Sequence, residues 1–218
     1  VKKLIAVFGL AIMMAASSVS AQQVNEENPY EMIKDVANRT FSRIKDNQAT
    51  IKNNPEELRA IMKEELLPHT DYKFAAFKVL GKNAASIERD KLAEFVKVFR
   101  EYLITTYAVA MSYYDNQDVV FEPAQDVGDS TYVVVRAIIK DPNRPEIKVA
   151  FKVRKNSKTN EWKAFDMVAE GISMLDSKRS EFESIIRQQG IEKVITLMQE
   201  KIDNPVELKE EFDEKDNA

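Results

Sequence analysis

From Thr131 to Ala169 the chain offers three runs rich in Val, Ile and aromatic residues, separated by two short polar segments. Asp141-Pro142-Asn143-Arg144-Pro145 and Asn156-Ser157-Lys158-Thr159-Asn160 are turn formers, so the block reads as three antiparallel strands joined by hairpins. Pairing Lys140 with Glu146 and Lys155 with Glu161 brings the odd-numbered residues to one face of the pleat. That face carries Val133, Val135, Ala137 and Ile139, then Ile147, Val149, Phe151 and Val153, then Phe165, Met167 and Ala169, interrupted only by Lys163 near the hairpin end. The even face mixes Arg136, Lys148, Lys152, Arg154 and Asp166 with apolar residues, and reads as a paired, solvated back. A sheet with one apolar face has to be covered on it, and helices are the usual cover. Whether they close a solid core or wall off a cavity is not decided by the pattern, because both have the same composition.

The remaining elements supply that cover. Asn28-Pro29 caps and opens a helix running to about Asn47, and Asn54-Pro55-Glu56-Glu57 repeats the signal for a second. A shorter apolar segment spans Asp71 to Leu80, and the longest helix is expected from about Ser86 to Tyr114. Its second half, Tyr102 to Tyr114, holds no charge, and a helix without a solvated face is buried. A short strand near Val119 to Glu122 precedes the block, and two amphipathic helices follow Gly171. The fold class is therefore α+β: an antiparallel meander of about four strands with helices covering one face.

Residues 1–21 read as an export signal, with Lys2-Lys3, an apolar run from Leu4 to Ala16, and small residues up to Ala21. Residues 22–202 read as a single domain, and 203–218 as a charged tail with little to bury. The absence of cysteine excludes disulfides and thiol chemistry. The formal charge of −4 becomes −6 without Lys2 and Lys3, which argues against nucleic acid and against electrostatic docking on an anionic membrane.

Catalytic and metal-binding signatures are missing. His69 is the only histidine, so no histidine cluster can hold a metal; at an apparent helix end it reads as exposed or capping. Glu64 and Glu65 are adjacent on a helix and read as solvated surface. Asp166 is the one carboxylate of interest, lying mid-strand among apolar neighbours, and its expected partners are Lys148 and Lys152 diagonally across the next strand. Trp162 opposite Arg154 reads as a surface cation–aromatic pair.

Asn28-Pro-Tyr30, Glu65-Leu-Leu-Pro68, Phe99-Arg-Glu-Tyr-Leu103, Asp141-Pro-Asn-Arg-Pro145, and Arg154-Lys-Asn-Ser-Lys-Thr-Asn-Glu-Trp162 running into Phe165-Asp-Met-Val-Ala-Glu-Gly-Ile-Ser-Met174 together resemble the MlaC family of periplasmic phospholipid-binding proteins. The resemblance extends in the family's order from Asn28 to about Ile202. It implies a monomeric periplasmic carrier with no cofactor, holding phospholipid as cargo by its acyl chains. It implies hand-over between an outer-membrane complex of the lipoprotein MlaA with a porin and the MlaD ring of an inner-membrane ABC transporter.

With that tenant for the space over the odd face, the residues expected at the lipid are Val133, Val135, Ala137, Val149, Phe151, Phe165 and Met167 from the sheet. Phe99, Tyr102 and Tyr107 join them from the long helix, with Ile172 and Met174 closing one end. Two other readings stand beside this one. One is a small cone-shaped isomerase or hydratase using Asp166 as base, which requires that carboxylate to face inward unpaired. The other is a periplasmic adaptor with a solid core.

Overall fold

A computed structural model describes residues 24–208 apart from 116 and 143, so the expected export signal and the last ten residues of the tail lie outside the described residues. Helix α1 (Pro29–Asp46) begins where the sequence places it, with the Asn28 side chain accepting from the Tyr30 and Glu31 backbone N–H groups. Short helices α2 (Gln48–Asn53) and α3 (Glu57–Ile61) follow. The chain then widens into a π-helical turn, Met62–Leu66, and tightens into a 3-10 turn, Leu67–His69. Helix α4 (Tyr72–Leu80) is capped by Asp71, and α5 (Arg89–Met111) is the long helix.

The sheet is an antiparallel meander in the order β1 (Asp118–Phe121), β2 (Tyr132–Asp141), β3 (Arg144–Lys155), β4 (Trp162–Ala169) and β5 (Ile172–Ser173). It has one strand more than the sequence pattern gives. The extra strand is a two-residue return made by Glu170 and Gly171, both at positive φ, a backbone suited to a tight hairpin. Helix α6 (Met174–Asp203) breaks at Gly190, whose φ of 84° and ψ of 172° separate the two expected helices.

The β2–β3 register follows the expected pairing from Tyr132↔Arg154 to Ile139↔Ile147. It shifts beyond Ile139, so Asp141 meets Arg144 while Lys140 and Glu146 keep an ion pair at 3.3 Å. The β3–β4 register differs from the expectation. Asn156, not Lys155, closes the turn onto Glu161, its N–H donating to the Glu161 carbonyl at 2.8 Å, with Asn160 at a φ of 60°. Lys155 therefore pairs with Trp162, and Val153 with Ala164. A bulge then skips Phe165 and sets Lys152 against Asp166 and Phe151 against Met167.

These shifts exchange the residues at the hairpin end. Lys163 leaves the apolar face, opposite Arg154, and Trp162 and Ala164 join it. Trp162 is only 1% exposed, among Met32, Val36, Val133 and Val153, so it is not a surface partner of Arg154. Arg154 instead lies over the Phe74 ring at 4.2 Å and pairs with Asp71 at 2.6 Å, tying β3 to the start of α4.

Three apolar clusters result. One joins α4, α6 and the first half of α5, with Phe165 turned into it by the bulge. A second joins α2, α3 and the uncharged half of α5. The third lies between α1 and the odd face of the sheet. One apolar residue within the expected tail is packed into the core. Val206 is 3% exposed in the second cluster, because Glu56 accepts its N–H at 2.7 Å and Arg59 donates to the Asn204 carbonyl at 2.6 Å.

Candidate functional site

A cavity of about 1040 Å³, its open mouth included, lies between α1, the π-helical turn, the C-terminal end of α5 and the odd face of the sheet. Helix α1 contributes Met32, Ile33, Val36, Ala37, Thr40 and Phe41, and the π-helical turn Met62 and Leu66. Helix α5 adds Tyr107, Ala110 and Met111, and the strands add Val119, Phe121, Ile139, Val149, Phe151, Ala164 and Met167. Why these elements leave a space is visible in their sequences. The cavity-facing side of α5 narrows from Tyr107 to Ala110, and the shifted register brings the small Ala164 of β4 into the lining beside Phe165.

Only Thr40, His69, Thr70, Tyr107 and Asp166 bring polar side chains to this lining. Most are already committed. Thr40 and Thr70 donate back to the carbonyls of Val36 and Leu66. His69 Nδ1 lies 2.7 Å from Glu26 Oε1, at the junction of the cavity with a polar groove formed by Glu26, Glu27, Arg39 and Thr159 to Glu161. It is thus neither exposed nor a cap. Burial holds its imidazole below the usual histidine range, an effect that Glu26 only partly offsets.

Asp166 is buried rather than solvated. Its carboxylate accepts from Lys152 Nζ at 2.7 Å, from the Ser173 hydroxyl at 2.6 Å and from the Leu175 N–H at 3.0 Å. The bond to Asp166 raises the Lys152 ammonium above the ordinary lysine value. Lys152 is the expected partner, but directly across the strand and not diagonally. A carboxylate holding three donors at the start of α6 anchors that helix to β4. The isomerase reading requires it unpaired, and here it holds three donors.

Outside the lining, Arg43 contacts Glu64 at 2.6 Å and Glu65 at 3.0 Å, and Arg39 contacts Glu65 at 2.9 Å. The two glutamates, read from sequence as solvated surface, thus fasten the π-helical turn to α1 across one edge of the cavity. Neither signal was in the local pattern, because the partners are some twenty residues apart on another helix.

Of the residues expected at the site, Tyr107, Val149, Phe151, Phe165 and Met167 line the cavity. Phe99 and Tyr102 lie instead in the α4–α5–α6 cluster, where they stack near Phe95 and Phe182. Val133 and Val135 are packed in the α1–sheet cluster, and Ala137 is buried beside them without reaching the lining. Ile172 and Met174 are surface residues, 59% and 40% exposed. The α1 face went unassigned, although its apolar spacing at Met32, Ile33 and Val36 was a readable signal. Among the described residues there is no cluster of acidic or histidine side chains that could hold a metal, and no helix long and apolar enough to cross a membrane.

Comparison with known proteins identifies this architecture. A family model described as MlaC protein matches residues 34–200. The chain is 34% identical over 198 residues to the intermembrane phospholipid transport system binding protein MlaC of Haemophilus influenzae, covering 90% of this chain and 92% of that one. It also superposes with a TM-score of 0.71 on a phospholipid-binding protein from Ralstonia solanacearum solved in complex with a phospholipid, at 21% identity, covering 80% of this chain and 97% of that one. The structural likeness establishes a shared fold, and the first two, spanning most of the sequence, establish descent: the chain belongs to the MlaC family.

Proposed function

We propose that this protein is a non-enzymatic phospholipid carrier of the periplasm, holding its cargo by the acyl chains in the cavity beneath α1. The observation that carries this reading is an opening between α1 and the sheet whose walls are hydrocarbon almost throughout. Two acyl chains contain on the order of 30 methylene groups, and at about 0.8 kcal/mol each their exposure to water costs roughly 24 kcal/mol. Release into water is negligible on that scale. A bilayer interior is as apolar as the cavity, so exchange with a membrane-bound partner is nearly balanced, and small differences at a docked partner set its direction. The partners in this reading are the MlaA–porin complex at the outer membrane and MlaD at the inner. Support for a phospholipid comes from the names of the relatives in Haemophilus and Ralstonia.

The test is native mass spectrometry of the exported protein, purified without detergent. Co-purifying phospholipid at about one molecule per chain is the expected result; a folded protein that neither carries nor takes up phospholipid overturns the reading.

A further inference from the structure

Tyr107 stands apart from the other polar residues of the lining. The threonines bond to their own helix backbone, His69 to Glu26, and Asp166 to three donors, whereas the Tyr107 hydroxyl makes no hydrogen bond among the described residues. It lies on the C-terminal half of α5, one turn before Ala110 and Met111 and across from lining residues of the β3 and β4 strands. A phenol that opens onto an apolar cavity without a protein partner has an unused donor there, which a ligand or water with an acceptor can satisfy.

The surroundings define what that acceptor is. Burial pushes the Tyr107 phenol up to about 12, with the Asp166 carboxylate adding to the shift, so it remains a neutral O–H donor throughout the physiological range. No lysine or arginine lines the cavity, and the one histidine there is held toward its neutral form. A phosphate or free carboxylate drawn to this depth would be desolvated without a counter-charge, which is far more costly than burying a neutral carbonyl that receives one hydrogen bond.

Resting on the carrier reading above, we infer that Tyr107 is a specificity-determining residue whose hydroxyl donates to an acyl ester carbonyl of the bound lipid, so that the cavity distinguishes ester-linked from ether-linked chains. The phosphate then stays outside the hydrocarbon lining, and the depth to which the chains enter is set by where the ester meets α5. An ether oxygen is a weaker acceptor at a different place along the chain, and it leaves the phenol unsatisfied.

The experiment compares the delipidated full-length mature protein and Tyr107→Phe for uptake of dipalmitoyl phosphatidylethanolamine and its dihexadecyl ether counterpart, supplied together in vesicles and counted by mass spectrometry. The wild type is expected to prefer the diacyl lipid by about threefold to tenfold, the range of one net hydrogen bond, and Tyr107→Phe to take the two equally. A wild type that takes up both lipids without preference, or a Tyr107→Phe protein that keeps the full preference, overturns the assignment while leaving the carrier reading intact. Uptake of neither lipid by the wild type overturns both. A second measurement needs no variant. With a carbon-13-labelled ester, the infrared carbonyl band of the bound lipid should lie at lower frequency than in a dry hydrocarbon solvent, and an unshifted band counts against the hydrogen bond.

Discussion

His69 and Asp166 show how two titratable side chains can border an apolar cavity with their polar atoms already engaged. Each is turned to a partner outside the hydrocarbon wall, His69 to Glu26 and Asp166 to Lys152, Ser173 and the Leu175 N–H. The histidine has a measurable consequence. Its folded-state imidazole takes a proton less readily than the unfolded one, so below about pH 6.5 the unfolded chain binds more protons and stability falls. The contribution is fully present above that pH and is lost as the pH drops toward the lowered folded value. In urea denaturation followed between about pH 7.5 and pH 5.5, the wild-type midpoint should fall more steeply than that of His69→Gln. Equal pH slopes for the two proteins would show that burial of His69 carries no such linkage.

Strand β4 is the element on which the cavity depends. Its hairpin closes one residue later than the simple pattern gives and then bulges at Phe165, so two small changes reassign which side chains face inward. Lys163 is moved off the apolar face, Trp162 is buried against α1, and Ala164 joins the cavity lining beside Phe165. Phe165 meanwhile packs against Phe74 at 5.0 Å and joins the helical cluster. The opposite wall, β3, presents Phe151 to the cavity. A carboxylate there would be desolvated by any hydrocarbon cargo, so Phe151→Asp is expected to lower retained phospholipid by at least about tenfold. Ile172→Asp, at an exposed position outside the lining, should retain lipid as the wild type does. Lipid counted per chain after detergent-free purification checks both. Wild-type loading of a folded Phe151→Asp protein would mean that the cargo lies elsewhere.

At the scale of the whole molecule, two of the three clusters share helix α5, whose first half packs with α4 and α6 and whose second half packs with α2 and α3. The chain end reinforces the second of these. Glu56 and Arg59 grip the backbone at Val206 and Asn204, and the Val206 side chain is buried with Leu58 and Ile61. A chain ending at Asp203 should therefore lose about 2 kcal/mol, the burial of one valine side chain, relative to a chain ending at Leu208. Urea midpoints at equal transition slopes give the comparison, and indistinguishable midpoints would mean that the docked segment adds nothing.

The α+β class, the capped start of α1, the buried half of α5 and the β2–β3 register follow from local sequence alone, because each rests on spacing within one element or across one short turn. The same spacing places Tyr107, Val149, Phe151 and Met167 on inward faces, and all four line the cavity. It could not separate them from Val133 and Val135, which face the same way but meet the side chains of α1 instead of open space. Nor could it anticipate the bulge at Phe165, a single added residue with no composition of its own, or the burial of Val206 against helices about 150 positions away in sequence. Periodicity determines which side of an element is apolar; only the distances between packed elements decide whether that side closes into core or stands open as a cavity, because a core wall and a cavity wall are written in the same residues.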